Sequence, residues 1–91
     1  MFKKGKVVWT RGINDEVADN EVFAKEVLAS LRRYNSCDWG ELCDEDKQMN
    51  DNALKFGNDR IFASYQTSKG KIYIITEWDR SVTTILFANE Y

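Results

Sequence analysis

Between Asn20 and Asn35 the apolar residues recur at helical spacing. Phe23, Val27, Leu31 and Tyr34 fall on one face, Ala24 and Leu28 widen the stripe, and Glu21, Lys25, Glu26, Arg32 and Arg33 take the remainder. The acids come early and the arginines late, which suits the partial charges of the helix ends. Asp19 or Asn20 offers a short side-chain oxygen to cap the first turn. A second helix is predicted from Asp44 to Phe56. It opens on the acidic turn "DEDK", carries a thin stripe of Met49, Ala53 and Phe56, and stops at Gly57. From Arg60 the apolar period shortens to two. "RIFASYQT" and "KIYIITEW" flank "SKG", a hairpin signal. In the second arm Ile72, Ile74 and Thr76 share one face, and Tyr73, Ile75 and Glu77 share the other. "DRS" then turns the chain into "VTTILF". Near the start, "GKVVWT" (5–10) reads as a short strand and "RGIND" as the turn that follows it.

The order β-α-α-β-β-β predicts an α+β fold: two helices packed on one face of a three- to four-stranded antiparallel sheet, with the N-terminal strand as the fourth. A chain of 91 residues is expected to be a single domain, 1–91. A domain of this size buries only roughly 60–65% of the surface its unfolded chain exposes, so its core must be efficient. A content of 43% hydrophobic and 13% aromatic residues, with no proline, argues for a packed globule over a disordered tail. The expected core is Phe23, Val27, Leu28, Leu31, Trp39, Leu42, Phe56, Phe62, Ile72, Ile74, Val82 and Leu86, with Trp9 beside it. The outer strand of the hairpin offers an edge on which a second copy could pair, giving a homodimer. The run around Ile72 to Ile75 is too short to cross a bilayer, and the early lysines are not followed by the apolar stretch of a leader. No membrane association and a cytoplasmic location are therefore expected.

Charge alters this picture locally. The net charge is only −2, but Lys3, Lys4, Lys6 and Arg11 precede any acid, whereas "SCDWGELCDEDKQMND" (36–51) gathers Asp38, Glu41, Asp44, Glu45, Asp46 and Asp51 around the single base Lys47. The same stretch holds both cysteines. Cys37 and Cys43 have five residues between them, with no histidine and no third cysteine in the chain, which argues against a zinc site. A disulfide needs an oxidising compartment that nothing here indicates. One or both thiols are expected as small buried residues at an inter-helix turn. In "DWGEL" Trp39 and Leu42 are expected to face the core from a short turn of helix and to pin the second helix to the first. The oxygen-bearing residues lack the alternation of a calcium loop.

Catalytic signatures are absent too. Without histidine no Cys–His or Ser–His–Asp arrangement can form, and no glycine-rich phosphate loop follows a strand. No cofactor is implied. Glu77, Asp79 and Arg80 form a charged trio at a strand end, of the kind that more often latches a turn than performs chemistry. A small enzyme would have to rely on Glu77, Asp79 or Cys37. The basic segment around Lys3, Lys4, Lys6, Trp9 and Arg11 could serve a small nucleic-acid-associated regulator. An isoelectric point of about 5.1 argues against dedicated nucleic-acid binding. The acidic cluster could instead imitate spaced phosphates and fill another protein's basic groove.

Three segments carry a resemblance: "TRGINDEVA" (10–18), "DWGELCDEDKQMND" (38–51) and "IYIITEWDRSVTTILFANEY" (72–91). Together they resemble a family of small proteins encoded on plasmids, phages and integrative elements of Gram-positive bacteria. The similarity runs nearly end to end, and Trp78 stands where a smaller residue would be expected. The resemblance carries over no active-site residue. It implies a non-enzymatic protein of a mobile element that disables a host defence protein or ribonucleoprotein, such as a CRISPR effector or restriction nuclease. The surface expected to do this is acidic and aromatic: Asp38, Glu41, Asp44, Glu45 and Asp46 between the helices, and Glu77, Trp78, Asp79 and Arg80 at the "EWDR" turn.

Overall fold

A computed structural model describes residues 2–57 and 59–91. The chain runs β1 (Lys6–Trp9), α1 (Arg11–Asp19), α2 (Glu21–Asn35), α3 (Asp44–Phe56), β2 (Ile61–Thr67), β3 (Gly70–Thr76) and β4 (Val82–Phe87), then a 3-10 turn over Ala88–Glu90. The α+β class stands, but the described residues form three helices, not two, and the sheet is mixed.

The extra helix is α1, where a turn was expected. Thr10 caps it, its hydroxyl accepting from the Ile13 amide at 3.3 Å, and Ile13 is completely buried. The same hydroxyl donates to the Glu90 carboxylate at 2.8 Å, which also accepts from the Phe87 amide at 2.8 Å. A carboxylate 80 residues further along the chain thus sits at the first turn of α1, where the free amides and the helix dipole favour negative charge. Gly12 leaves room for it, since a Cβ there would crowd the Glu90 side chain.

The strand order is β1-β4-β3-β2. The expected meander β2-β3-β4 is antiparallel, but β1 pairs with β4 in parallel, Lys6 opposite Val82 and Trp9 opposite Ile85. The three helices carry the chain from one edge of the sheet to the other. The meander then returns with β4 pointing the same way as β1, and a long helical crossover is what parallel pairing requires.

Alternation along the strands sends Ile61, Ala63 and Tyr65, Ile72, Ile74 and Thr76, and Thr83 and Ile85 to one buried face. Against it α2 presents Phe23, Val27, Ser30 and Tyr34. Thr76 and Thr83 are tolerated in this layer because they belong to a chain of hydroxyls. Thr83 donates to the carbonyl of Lys4 at 2.7 Å, so it accepts from Thr76 (2.7 Å), and Thr76 in turn accepts from Tyr34 (2.6 Å). Each of these three hydroxyls thereby has a partner. On the other face Ile75 and Leu86 are buried, and the C-terminal Tyr91 folds back with its ring centroid 5.8 Å from Tyr73 and 6.1 Å from Phe62.

Several expected core residues lie elsewhere. Leu28 is 49% exposed, because the buried stripe of α2 passes through Ser30, whose hydroxyl bonds the carbonyl of Glu26 at 2.8 Å. Phe56, in the last turn of α3, is 65% exposed, and Trp9 on the edge strand is 44% exposed. Leu31, Leu42, Phe62 and Val82 are half-buried. Cys37 and Cys43, of which one or both were expected to be buried, are both exposed thiols, because the loop that holds them packs inward through Trp39 instead.

That loop is not a turn of helix. Gly40, at φ +77°, forms a bridge to Ser64 of β2, and a Cβ on Gly40 would run into the Ser64 carbonyl. Ser64 accepts from the Glu41 amide at 2.7 Å and donates to the Trp39 carbonyl at 3.3 Å. Trp39 does pin two helices, as expected. Its indole N–H donates to Asp51 of α3 at 3.0 Å, and its ring meets Tyr34 of α2 edge-on at 5.5 Å. Beside it the buried Asn50 side chain pairs with both backbone groups of Phe62, at 2.7 and 3.1 Å. The outer edge of the hairpin is therefore not bare: at Phe62 and Ser64 its backbone already has partners from α3 and from the loop.

Candidate partner-binding surface

The nine residues singled out from the sequence divide by what they touch. Asp38 is engaged internally. Its carboxylate accepts from Arg33 through two nitrogens, at 2.8 and 3.2 Å, and from the Gly40 amide at 3.1 Å, and its carbonyl accepts from the Tyr65 hydroxyl at 2.6 Å. The hydrogen bond from Arg33 is the main reason the Asp38 carboxyl is held below its ordinary range, and the same contact raises Arg33. Glu41 is exposed. Asp44, Glu45 and Asp46 form the exposed first turn of α3, where Cys43 contributes no side-chain cap, so these acids face the partial positive charge of the helix start.

The "EWDR" residues lie at the other end of α3. Arg80 is half-buried and adopts φ +60°, unusual for a side chain with a Cβ. Its guanidinium compensates by collecting backbone carbonyls. Nη2 donates to Ala53 at 3.0 Å, and Nη1 lies 2.6 Å from the carbonyl of Asp59, 3.1 Å from that of Trp78 and 3.2 Å from that of Glu77. The trio latches the turn, though through carbonyls and not through an ion pair with its acids. Asp79 accepts from the Ser81 amide at 3.0 Å, and hydrogen bonding from Ser81 lowers its carboxyl. Glu77 points to solvent, and Trp78 is 65% exposed.

The two halves of the expected surface are thus not side by side. The length of α3, about 18 Å at 1.5 Å per residue, separates the acidic turn from the latched one. A feature that the sequence did not reveal touches the acidic turn at Asp46 and none of residues 77–80. An open groove of about 310 Å³ is walled by Leu42, Met49, Phe62 and Tyr91 together with the charged residues Asp46, Asp59 and Arg60. Asp59 is the residue whose carbonyl Arg80 binds. Arg60 stacks over both Phe62 and Tyr91, 5.9 Å from each ring centre. Phe56 is a further exposed ring at the Arg80 end of α3. The sequence signals were weak here: Tyr91 reaches Phe62 only because the chain end folds back, and the groove exists only because Asn50 fixes α3 to the edge of β2.

The surface suits recognition by its chemistry. Carboxylates, a guanidinium and aromatic rings line a groove that none of Glu77, Asp79 and Cys37 enters. Among the described residues no group of three or more Cys, Asp or Glu side chains is gathered to hold a metal ion, and no helix is long and apolar enough to cross a membrane. Burial pushes the pKa of Tyr34 and of Tyr65 upward, which keeps both hydroxyls protonated as hydrogen-bond donors. No family model, curated protein or solved structure matches the chain.

Proposed function

We propose that this is a non-enzymatic interaction protein that acts by occupying the surface of a larger macromolecule in the cytoplasm. The partner class is a host defence complex, a CRISPR effector or a restriction nuclease. The observation that carries this reading is Trp78. It is a large aromatic side chain, 65% exposed, on a turn whose backbone is tied down by Arg80. A ring on a rigid support loses little freedom when it docks, and tryptophan is the residue most often found at the energetic centre of interfaces. Along α3 lie the exposed Phe56, the groove beside Met49 and Tyr91, which takes in Asp46, and the rest of the acidic turn at Asp44 and Glu45. They combine an apolar centre with a charged rim. The resemblance to proteins of mobile elements supports a defence complex as the target.

Capture from the lysate of a host bacterium tests this. Tagged wild-type chain is compared with Trp78→Ala and with the triple variant Asp44→Lys, Glu45→Lys, Asp46→Lys. A defence complex retained by wild type and lost from both variants is the expected result. Equal recovery by all three chains removes this surface from the account.

A further inference from the structure

The two edges of the sheet are treated differently. The β2 edge is occupied at Phe62 by the Asn50 amide and at Ser64 by residues 39–41. The β1 edge has no strand beside it among the described residues. Lys6 and Thr10 donate their amides toward β4, to Ser81 and Ile85, at 3.1 Å each. By the two-residue period of a strand, the amides of Val7 and Trp9 point the opposite way, outward from the sheet. Both side chains are also incompletely covered, Val7 41% and Trp9 44% exposed. They lie on the helix side of the sheet, where Trp9 leans on α1 with its indole N–H donating to Asn14 at 3.0 Å. Here both the backbone ladder and the apolar layer stop one strand short.

The charge along this segment is mostly positive. Lys6 lies in β1, Lys3, Lys4 and Arg11 flank it along the chain, and no acid occurs before Asp15. Asp15 is 3.9 Å from the Arg11 guanidinium, both side chains well exposed, and Glu90 is held by Thr10 and Phe87. A second copy of the chain would bring the same four cations against themselves, and like charges across a strand pair are destabilising. Short length and lysines are how natural edges resist self-pairing. The same lysines favour a strand of opposite charge. A nucleic acid would use the cations but has no use for alternating outward N–H and C=O groups, whereas an extended peptide uses both.

We propose that the β1 edge is a second binding site, distinct from the Trp78 surface, that takes an extended acidic polypeptide segment by strand addition. The segment hydrogen-bonds Val7 and Trp9, covers their side chains and places its carboxylates against Lys3, Lys6 and Arg11.

The test uses the full chain and a synthetic eight-residue peptide alternating glutamate with valine and threonine. Three comparison probes are the lysine counterpart, the same acidic peptide N-methylated at alternate amides, and an oligothymidylate. Affinity is read by fluorescence anisotropy, and site by hydrogen exchange at the Val7 and Trp9 amides. The acidic peptide should bind at least roughly tenfold tighter than the lysine peptide, given a few cross-strand charge pairs, and should slow exchange at both amides. The variant Lys3→Glu, Lys6→Glu should reverse the preference, with an unchanged melting curve showing that it folds. The triple Lys variant of the α3 acidic turn should bind the peptide as wild type does, so this site can stand if the Trp78 reading fails. Equal binding of the N-methylated peptide overturns strand addition. Tighter binding of the oligothymidylate, or protection of Val7 and Trp9 by self-association without any probe, overturns the choice of occupant.

Discussion

The guanidinium of Arg80 donates to the carbonyl of Ala53 at 3.0 Å, joining the turn before β4 to the end of α3. The same carbonyl accepts from the Gly57 amide at 2.8 Å, so Arg80 fills its second lone pair at the helix end, and it holds the backbone on which Trp78 stands. Replacing Arg80 by alanine removes hydrogen bonds from a charged donor and keeps a strained positive φ. Urea denaturation should show a loss of about 2 kcal/mol. Arg80→Gly loses the same bonds but relieves the backbone, so it should be less damaging than Arg80→Ala by about 1 kcal/mol. Equal losses would mean that the positive φ carries no strain.

The hydroxyl chain from Tyr34 through Thr76 and Thr83 to the Lys4 carbonyl predicts an order of effects. Thr76→Val removes the middle link, leaving a buried donor on Tyr34 and an unfilled acceptor on Thr83. Tyr34→Phe leaves Thr76 still donating to Thr83. Thr76→Val should therefore cost more, about 2 kcal/mol against about 1 kcal/mol. The double variant should cost less than the sum, since the two share a bond.

Gly40 and Gly57 both adopt positive φ, but only Gly40 is crowded, by Ser64 and Tyr65. Gly57→Ala should cost about 1 kcal/mol. Gly40→Ala should cost several times as much and expose Trp39, because the loop cannot keep its bridge to β2. Tryptophan emission during thermal melting separates the two.

Asp38 gives a pH dependence with a defined sign. Its carboxyl is lowered in the folded state, chiefly by the hydrogen bond from Arg33, so the folded form holds the proton less tightly than the unfolded chain. The contribution is complete above the ordinary aspartate value and is lost as pH falls through the lower folded value. Because the pair is about half exposed (46% and 48%), the loss should be about 1 kcal/mol or less. Stability measured in urea from neutral pH down to pH ~2 should fall less steeply in Asp38→Asn than in wild type.

The parts of the fold legible in the sequence were those fixed by neighbours along the chain. α2 shows its stripe, its Asn20 cap and its late arginines; α3 shows its acidic start and Gly57; the hairpin shows its alternation around Gly70. What escaped depends on distant partners. "RGIND" becomes helical because Ile13 finds the core and Thr10 finds Glu90. The parallel placement of β1 beside β4 follows from the path of the whole chain. The same division holds for the surface. Trp78 and the acids of α3 could be named from the sequence. Arg80 could be assigned to a turn but not to the carbonyls of α3, and the groove between Met49, Phe62 and Tyr91 needs the chain end to fold back before it exists.

The central claim is that this protein works by stoichiometric contact centred on Trp78. The most direct measurement is a titration of the DNA-cleaving activity of a purified host CRISPR effector or restriction nuclease with the purified chain. The account predicts inhibition that saturates at a fixed molar ratio, does not deepen with incubation time, and is lost in a folded Trp78→Ala variant. Inhibition that progresses with time at substoichiometric amounts of chain, or a Trp78→Ala variant as potent as wild type, would contradict it.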